Sequence, residues 1–167
     1  ASSDPTWGNH DDIMRLSGLK VQKYRYYDAA HFGVDFFGML EDVARLPSGA
    51  MPIFHSCCHN PTGYDMTIEQ WAELLELCRS HGLVPLLDMA YQGFREGLEA
   101  DAAAIRLFAE SGLDFLVATS YSKSFGLYSE RVGALTVVTQ SKKQADAVTT
   151  RVEALARANY SNPPSFG

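Results

Sequence analysis

Leu83-Val-Pro-Leu-Leu-Asp88 is an apolar run of strand length that ends on a carboxylate, and Met89-Ala-Tyr-Gln-Gly-Phe94 follows it. A strand that is apolar throughout, without alternation, belongs in a sheet covered on both faces, as parallel sheets are. A carboxylate closing such a strand is costly unless a cation or hydrogen-bond donors meet it.

Four further segments read as strands: Leu19–Tyr24, Met51–Ser56, Phe115–Ser120 and Gly133–Val138. Helical patterns lie between and after them at Asp35–Leu46, Thr67–His81, Asp101–Ser111 and Ser141–Ala158. Thr67-Ile-Glu-Gln70 has the form of a capping box, and Gly82 and Gly112 stand where left-handed helix caps belong. Strands alternating with helices predict an α/β fold of three layers, αβα, around a mostly parallel sheet. Ligands of such sheets bind beyond the carboxyl ends of the strands, so residues that carry chemistry are expected just after them. No repeat, low-complexity tract or linker divides the chain.

The bulk properties exclude several classes. With 167 residues, 46% hydrophobic and 20% charged, the chain suits one ordinary core. The net charge is −6 and the 14 Lys and Arg are scattered, so nucleic acid is not an expected partner. No apolar run approaches the roughly 20 residues of a membrane helix, so no membrane association is expected. Ala1 to His10 lacks the apolar stretch of a signal peptide. Three cysteines, two of them adjacent, make no disulfide framework, which suggests a reducing, cytoplasmic compartment. The absent initial methionine and the stop at Gly167, after a Pro-Pro turn, suggest a piece of a longer polypeptide.

His55-Ser-Cys-Cys-His59 invites a metal reading. Structural zinc takes paired ligands from two elements, whereas His55, Cys57, Cys58 and His59 read as one continuing strand whose neighbours point to opposite sides. Cys78, His81 and His10 stand alone, so no metal is expected and the thiols read as small buried groups.

Asn60-Pro-Thr-Gly63 then breaks the strand and leaves an amide at its carboxyl end. After Phe115–Ser120 comes a serine-rich loop, Tyr121-Ser-Lys-Ser-Phe-Gly126, with Arg131 soon afterwards. Ser120, Ser122, Ser124, the guanidinium and the loop amides make a suitable phosphate cup. A lysine, Lys123, beside that cup and facing the strand-end Asp88 suits a cofactor carrying both a phosphate and an aldehyde.

Five blocks in order resemble the bacterial aspartate and aromatic-amino-acid aminotransferases, class I enzymes of fold-type I that use pyridoxal phosphate. They are Pro5-Thr-Trp-Gly-Asn-His10, Cys57-Cys-His-Asn-Pro-Thr-Gly63, Asp88-Met-Ala-Tyr-Gln-Gly-Phe94, Ser120-Tyr-Ser-Lys-Ser-Phe-Gly-Leu-Tyr-Ser-Glu-Arg-Val-Gly133 and Arg157-Ala-Asn-Tyr-Ser-Asn-Pro-Pro164. The resemblance implies a transamination between aspartate, or an aromatic amino acid, and 2-oxoglutarate with ping-pong kinetics. It casts residues 1–167 as part of the pyridoxal-phosphate-binding large domain, without its N-terminal segment and C-terminal small domain.

Carried over residue by residue, Lys123 resembles the Schiff-base lysine and proton shuttle. Asp88 resembles the partner of the pyridine nitrogen, with His10 behind it. Asn60 and Tyr91 match ligands of the phenolic oxygen, and Ser120 and Arg131 match phosphate ligands. Trp7 and Ala90 match the groups on the two faces of the ring, with Trp7 and Asn60 also near the substrate. Arg157 matches an arginine that crosses a homodimer interface to a side-chain carboxylate, while Tyr121 and Tyr128 read as packing. The family's Gly-rich phosphate loop and α-carboxylate-binding arginine have no counterpart, so the chain alone is expected to be poorly stable and nearly inactive. Two alternatives stay open: another fold-type I enzyme, a lyase or decarboxylase, and a non-enzymatic sensor domain that binds the same cofactor.

Overall fold

The computed structural model describes residues 1–162. The chain opens with β1 (Ser2–Asp4), α1 (Asn9–Leu16) and β2 (Lys23–Arg25), followed by the small hairpin β3 (Tyr27–Asp28) and β4 (Gly33–Val34). Then come α2 (Phe36–Ala44), β5 (Ile53–His55), α3 (Ile68–Ser80) and β6 (Leu86–Met89). The rest is α4 (Leu98–Asp101), α5 (Ala103–Glu110), β7 (Phe115–Ser120), a 3-10 turn at Tyr128–Glu130, β8 (Gly133–Val138) and α6 (Lys142–Asn159).

The main sheet has the order β5-β6-β7-β8. β5, β6 and β7 are parallel, and β8 runs antiparallel to β7 with Ser120 opposite Gly133. β1 pairs in parallel with β2 and meets β5, where the Ile53 amide donates to the Ala1 carbonyl at 2.8 Å. Strand alternation sorts the residues onto two faces. Phe54, Leu87, Met89, Phe115 and Val117 join the buried core beneath α2, α3 and α5. A column of rings runs through that core: Phe54 to Trp71 at 6.3 Å, Trp71 to Phe108 at 5.9 Å and Phe108 to Phe115 at 5.7 Å. Each buried aromatic contributes roughly 1.5–3 kcal/mol through burial alone. His55 and Asp88 alternate with core residues and so face the other way, where α1 meets them through His10. The layering is helix–sheet–helix, as the sequence predicts.

Local signals hold where the chemistry is strong. Thr67 and Gln70 form the reciprocal capping box of α3, and Gly82 and Gly112 take φ of 62° and 74°. Three boundaries differ. β6 starts at Leu86 rather than Leu83, because Pro85 has no N–H to give the ladder. The expected helix Asp101–Ser111 is divided into α4 and α5 at Ala102, since the Asp101 carboxylate is engaged by the amides of Gly93, Arg95 and Glu96. The expected strand Leu19–Tyr24 is displaced to Lys23–Arg25, and α1 is a two-turn helix absent from the sequence expectation.

The strand into His59 is also a correction. β5 ends at His55, and Cys58 takes a left-handed φ of 50°, which turns the chain so that the His59 ring stacks back on His55 at 4.3 Å.

Candidate active site

Eight of the ten residues given a role by the resemblance, and Ser122 of the expected phosphate cup, line one cavity of about 280 Å³ at the carboxyl ends of the parallel strands. Asn60 arrives from the turn after β5, and Asp88, Ala90 and Tyr91 from the end of β6. Ser120 and Lys123 follow β7, Arg131 precedes β8, and Trp7 comes from the turn before α1. Arg131 reaches this end of the sheet only because β8 is antiparallel. The pairing is close: a Cβ on Gly133 would run into the Thr119 carbonyl, so glycine at that position lets the strands meet. A neighbouring cleft of about 230 Å³ shares Asp88, Ser120, Ser122 and Arg131.

His10 stands behind Asp88, and the hydrogen bonds assign its protons. Burial pushes the His55 pKa down to about 4, against the opposing charge of Asp88, so His55 is neutral at pH 7. Its Nδ1 accepts from the Asn60 amide at 2.9 Å, which puts its proton on Nε2, 3.4 Å from His10 Nδ1. The Thr6 hydroxyl lies 3.0 Å from the same His10 Nδ1. His10 Nδ1 is therefore the acceptor, and His10 Nε2–H donates to Asp88 Oδ2 at 3.0 Å. A donor behind the carboxylate orients it towards the cavity. His10, read as standing alone, lies with His55 and Asp88 so that their ligand atoms are all within 4.8 Å of one another, and the hydrogen bonds above engage the Nδ1 lone pairs of both imidazoles.

On the other wall, Lys123 Nζ lies 4.8 Å from the centroid of the Tyr91 ring, and among the described residues no carboxylate pairs with it. Ser122 is buried, and its amide donates to Ser120 Oγ at 3.2 Å. Arg131 has left-handed backbone angles and donates one N–H to the Tyr128 carbonyl at 2.9 Å. Amine, hydroxyls, guanidinium and the Asp88 carboxylate thus line one cavity. That donor set fits a group bearing an anion at one end, an electrophilic carbon in the middle and a basic nitrogen at the other.

Arg157 stands apart. It lies in the last turn of α6, exposed, and donates to Ser161 Oγ at 2.8 Å. Pro163 and Pro164 of its block lie outside the described residues. Sequence reasoning missed His55, Cys57, Cys58 and Tyr128 as lining residues. Tyr128, read as packing, is 58% exposed and borders the cavity, whereas Tyr121 does pack, against Phe125 at 5.3 Å. The Asn60 amide bond to His55 depends on the turn at Cys58, which no spacing rule announces.

The profile of the aminotransferase class I and II family matches residues 1–167. The chain belongs to the class I and II aminotransferases. Within that family, the aspartate aminotransferase of Pseudomonas aeruginosa is 52% identical over 167 residues, which cover 100% of this chain and 42% of that protein. The aromatic-amino-acid aminotransferase of Burkholderia pseudomallei, solved covalently bound to pyridoxal phosphate, superposes with a TM-score of 0.96 at 49% identity, over 98% of this chain and 41% of that one. An aromatic aminotransferase from Psychrobacter sp. B6, cocrystallised with aspartic acid, gives a TM-score of 0.97 at 43% identity, over 99% and 42%. This aminotransferase chain therefore spans about two fifths of the length of these relatives. No helix among the described residues is long and apolar enough to cross a membrane.

Proposed function

We propose that the chain is the central part of the cofactor-binding large domain of an aspartate or aromatic-amino-acid aminotransferase that uses pyridoxal phosphate. The observation that carries this reading is the single cavity lined by Lys123 and Asp88 together with Ser120, Ser122 and Arg131. When bound, pyridoxal phosphate supplies an aldehyde for amine exchange and a ring that withdraws electrons from the substrate α carbon. Lys123 holds the aldehyde end and then moves the proton at the α carbon. Asp88, oriented by His10, keeps the ring nitrogen protonated. Asn60 and Tyr91 donate to the phenolic oxygen, where negative charge grows. Ser120 and Arg131 grip the phosphate, with the guanidinium able to offer two parallel N–H groups. Trp7 and Ala90 bound the ring on its two faces, and Trp7 and Asn60 also border the substrate.

The substrates on this reading are an amino acid, aspartate or aromatic, and 2-oxoglutarate. The exposed Arg157 suits a carboxylate presented by a second subunit's site, which makes the full polypeptide a homodimer. Three free cysteines suit a cytoplasmic location. The 167-residue piece expressed alone is expected to transaminate poorly.

The test is the absorbance of pyridoxal phosphate added to the full-length polypeptide, before and after aspartate, beside Lys123→Ala. A protein-dependent band that aspartate shifts, and that Lys123→Ala abolishes, supports the reading. A band unchanged by aspartate, with carbon dioxide released instead, points to a decarboxylase. No band in the unaltered protein overturns the cofactor assignment.

A further inference from the structure

The turn that presents Asn60 is held by a carboxylate outside the cavity. Cys58, two residues before Asn60, has a left-handed φ of 50°, a conformation that a side chain with a Cβ disfavours. Its amide and that of His59 both end on Asp65: Cys58 N–H donates to Oδ2 at 2.7 Å and His59 N–H to Oδ1 at 2.8 Å. The Asp65 side chain is only 4% exposed, and its third partner is Arg95, whose Nη1 lies 3.3 Å from Oδ2. Arg95 belongs to the loop that follows Tyr91, and that loop is itself closed on Asp101 by the amides of Gly93, Arg95 and Glu96. One buried carboxylate thus ties the turn before Asn60 to the loop after Tyr91, and both residues line the cavity.

We propose that Asp65 is a positioning residue of the active site. It acts through the Cys58–His59 backbone to set the Asn60 side chain, and Arg95 completes the clamp. This rests on the reading of Asn60 as a ligand of the cofactor's phenolic oxygen. An asparagine at position 65 would offer one acceptor oxygen where two amides need one each, and would turn an N–H₂ towards the other donor. Arg95→Gln would keep both amide bonds and remove only the charged partner.

The experiment uses the full-length polypeptide and a double-mutant cycle on the dissociation constant of pyridoxal phosphate, with hydrogen exchange of the cofactor-free protein as a second readout. Asp65→Asn is expected to weaken the cofactor about tenfold, and Arg95→Gln about threefold. Placed on Asn60→Ala, which weakens it by itself, each adds less than about twofold, because the group that Asp65 positions is already gone. The Cys58 and His59 amides exchange faster in Asp65→Asn and unchanged in Asn60→Ala. If the effects multiply in the double variants, Asp65 acts elsewhere and the proposal is overturned. If Asn60→Ala leaves cofactor affinity unchanged, the underlying reading of Asn60 falls, and the proposal with it. Should Asp65→Asn fail to fold, Arg95→Gln on its own decides by the same cycle.

Discussion

β6 and β8 lie two strands apart in one sheet and differ in nearly every physical respect. β6 is flanked on both sides by parallel strands, and its Leu87 and Met89 are almost wholly buried. β8 pairs on one side only among the described residues, and Leu135 at its centre is 53% exposed. The helices repeat the contrast. α3 buries Trp71, Leu74, Leu75 and Cys78, whereas α6, with 18 residues, buries none and rests on half-covered Ala145, Val148 and Val152. The candidate site straddles this divide. Asn60, Asp88 and Tyr91 come from the packed side, and Arg131 comes from the threshold of the open one. Three of the lining groups thus rest on the well-buried part of the sheet, while a long cationic side chain enters from the exposed part.

The contrast can be broken most directly by truncation. Phe108→Ala, at the middle of the ring column, is expected to cost about 3–5 kcal/mol in a denaturant titration, against less than about 1 for Val152→Ala in α6. Equal losses would mean that the two regions are one cooperative core. Acid gives a second test on the packed side. Burial pushes His55 down to about 4 and His59 to about 3, so both are neutral in the fold, whereas the unfolded chain takes up these protons near 6.5. Protons then favour the unfolded state. Stability should fall as pH drops from about 6.5 towards 4, by on the order of 3 kcal/mol from His55, and His55→Gln should flatten that slope.

A finer comparison comes from hydrogen exchange. The amides of β8 should exchange at least about tenfold faster than those of Leu87 and Asp88, since local opening there uncovers little apolar surface. The smallest stability effect is expected at Arg157. Arg157→Ala should leave stability within about 0.5 kcal/mol, as exposed substitutions do. On the proposed function it should still raise the KM for dicarboxylic substrates selectively, leaving aromatic ones little changed.

Much of this was legible before any coordinates. Phe115–Ser120 and Gly133–Val138 are strands over the predicted residues, because each is a run of β-favouring side chains bounded by turn formers. Asn60, Asp88 and Lys123 were legible for a geometric reason, since each lies at or just after the end of a strand and parallel strands end at one side of the sheet. The illegible parts depend on contacts distant in sequence. The meeting of His10 with Asp88, 78 positions away, follows from the family resemblance alone, since no pattern within Asn9–Leu16 announces it. Strands of two or three residues, such as β1, β3 and β4, fall below any periodicity. The sequence argument against a metal at His55 rests on an extended chain through His59, and the left-handed Cys58 removes that premise, so the place of His55 beside Asn60 emerges only with the backbone. Asp65 carried one visible clue, an acid just beyond an Asn-Pro-Thr-Gly turn, but its two amide partners emerge only with the backbone.

The loop between β7 and β8 leaves the sheet at Ser120 and returns opposite it at Gly133, with the Tyr121 amide donating to the Val132 carbonyl at its neck. Lys123 and Arg131 both belong to that one closed segment. Their separation is therefore an internal measurement of the loop, insulated from the rest of the chain much as the bore of a ring is independent of the hand that wears it. The length of the loop, rather than the pairing of the strands, therefore bears on that distance. A change of length within that loop is thus expected to alter the distance between the amine and the guanidinium while the paired ends at Ser120 and Gly133 keep their register.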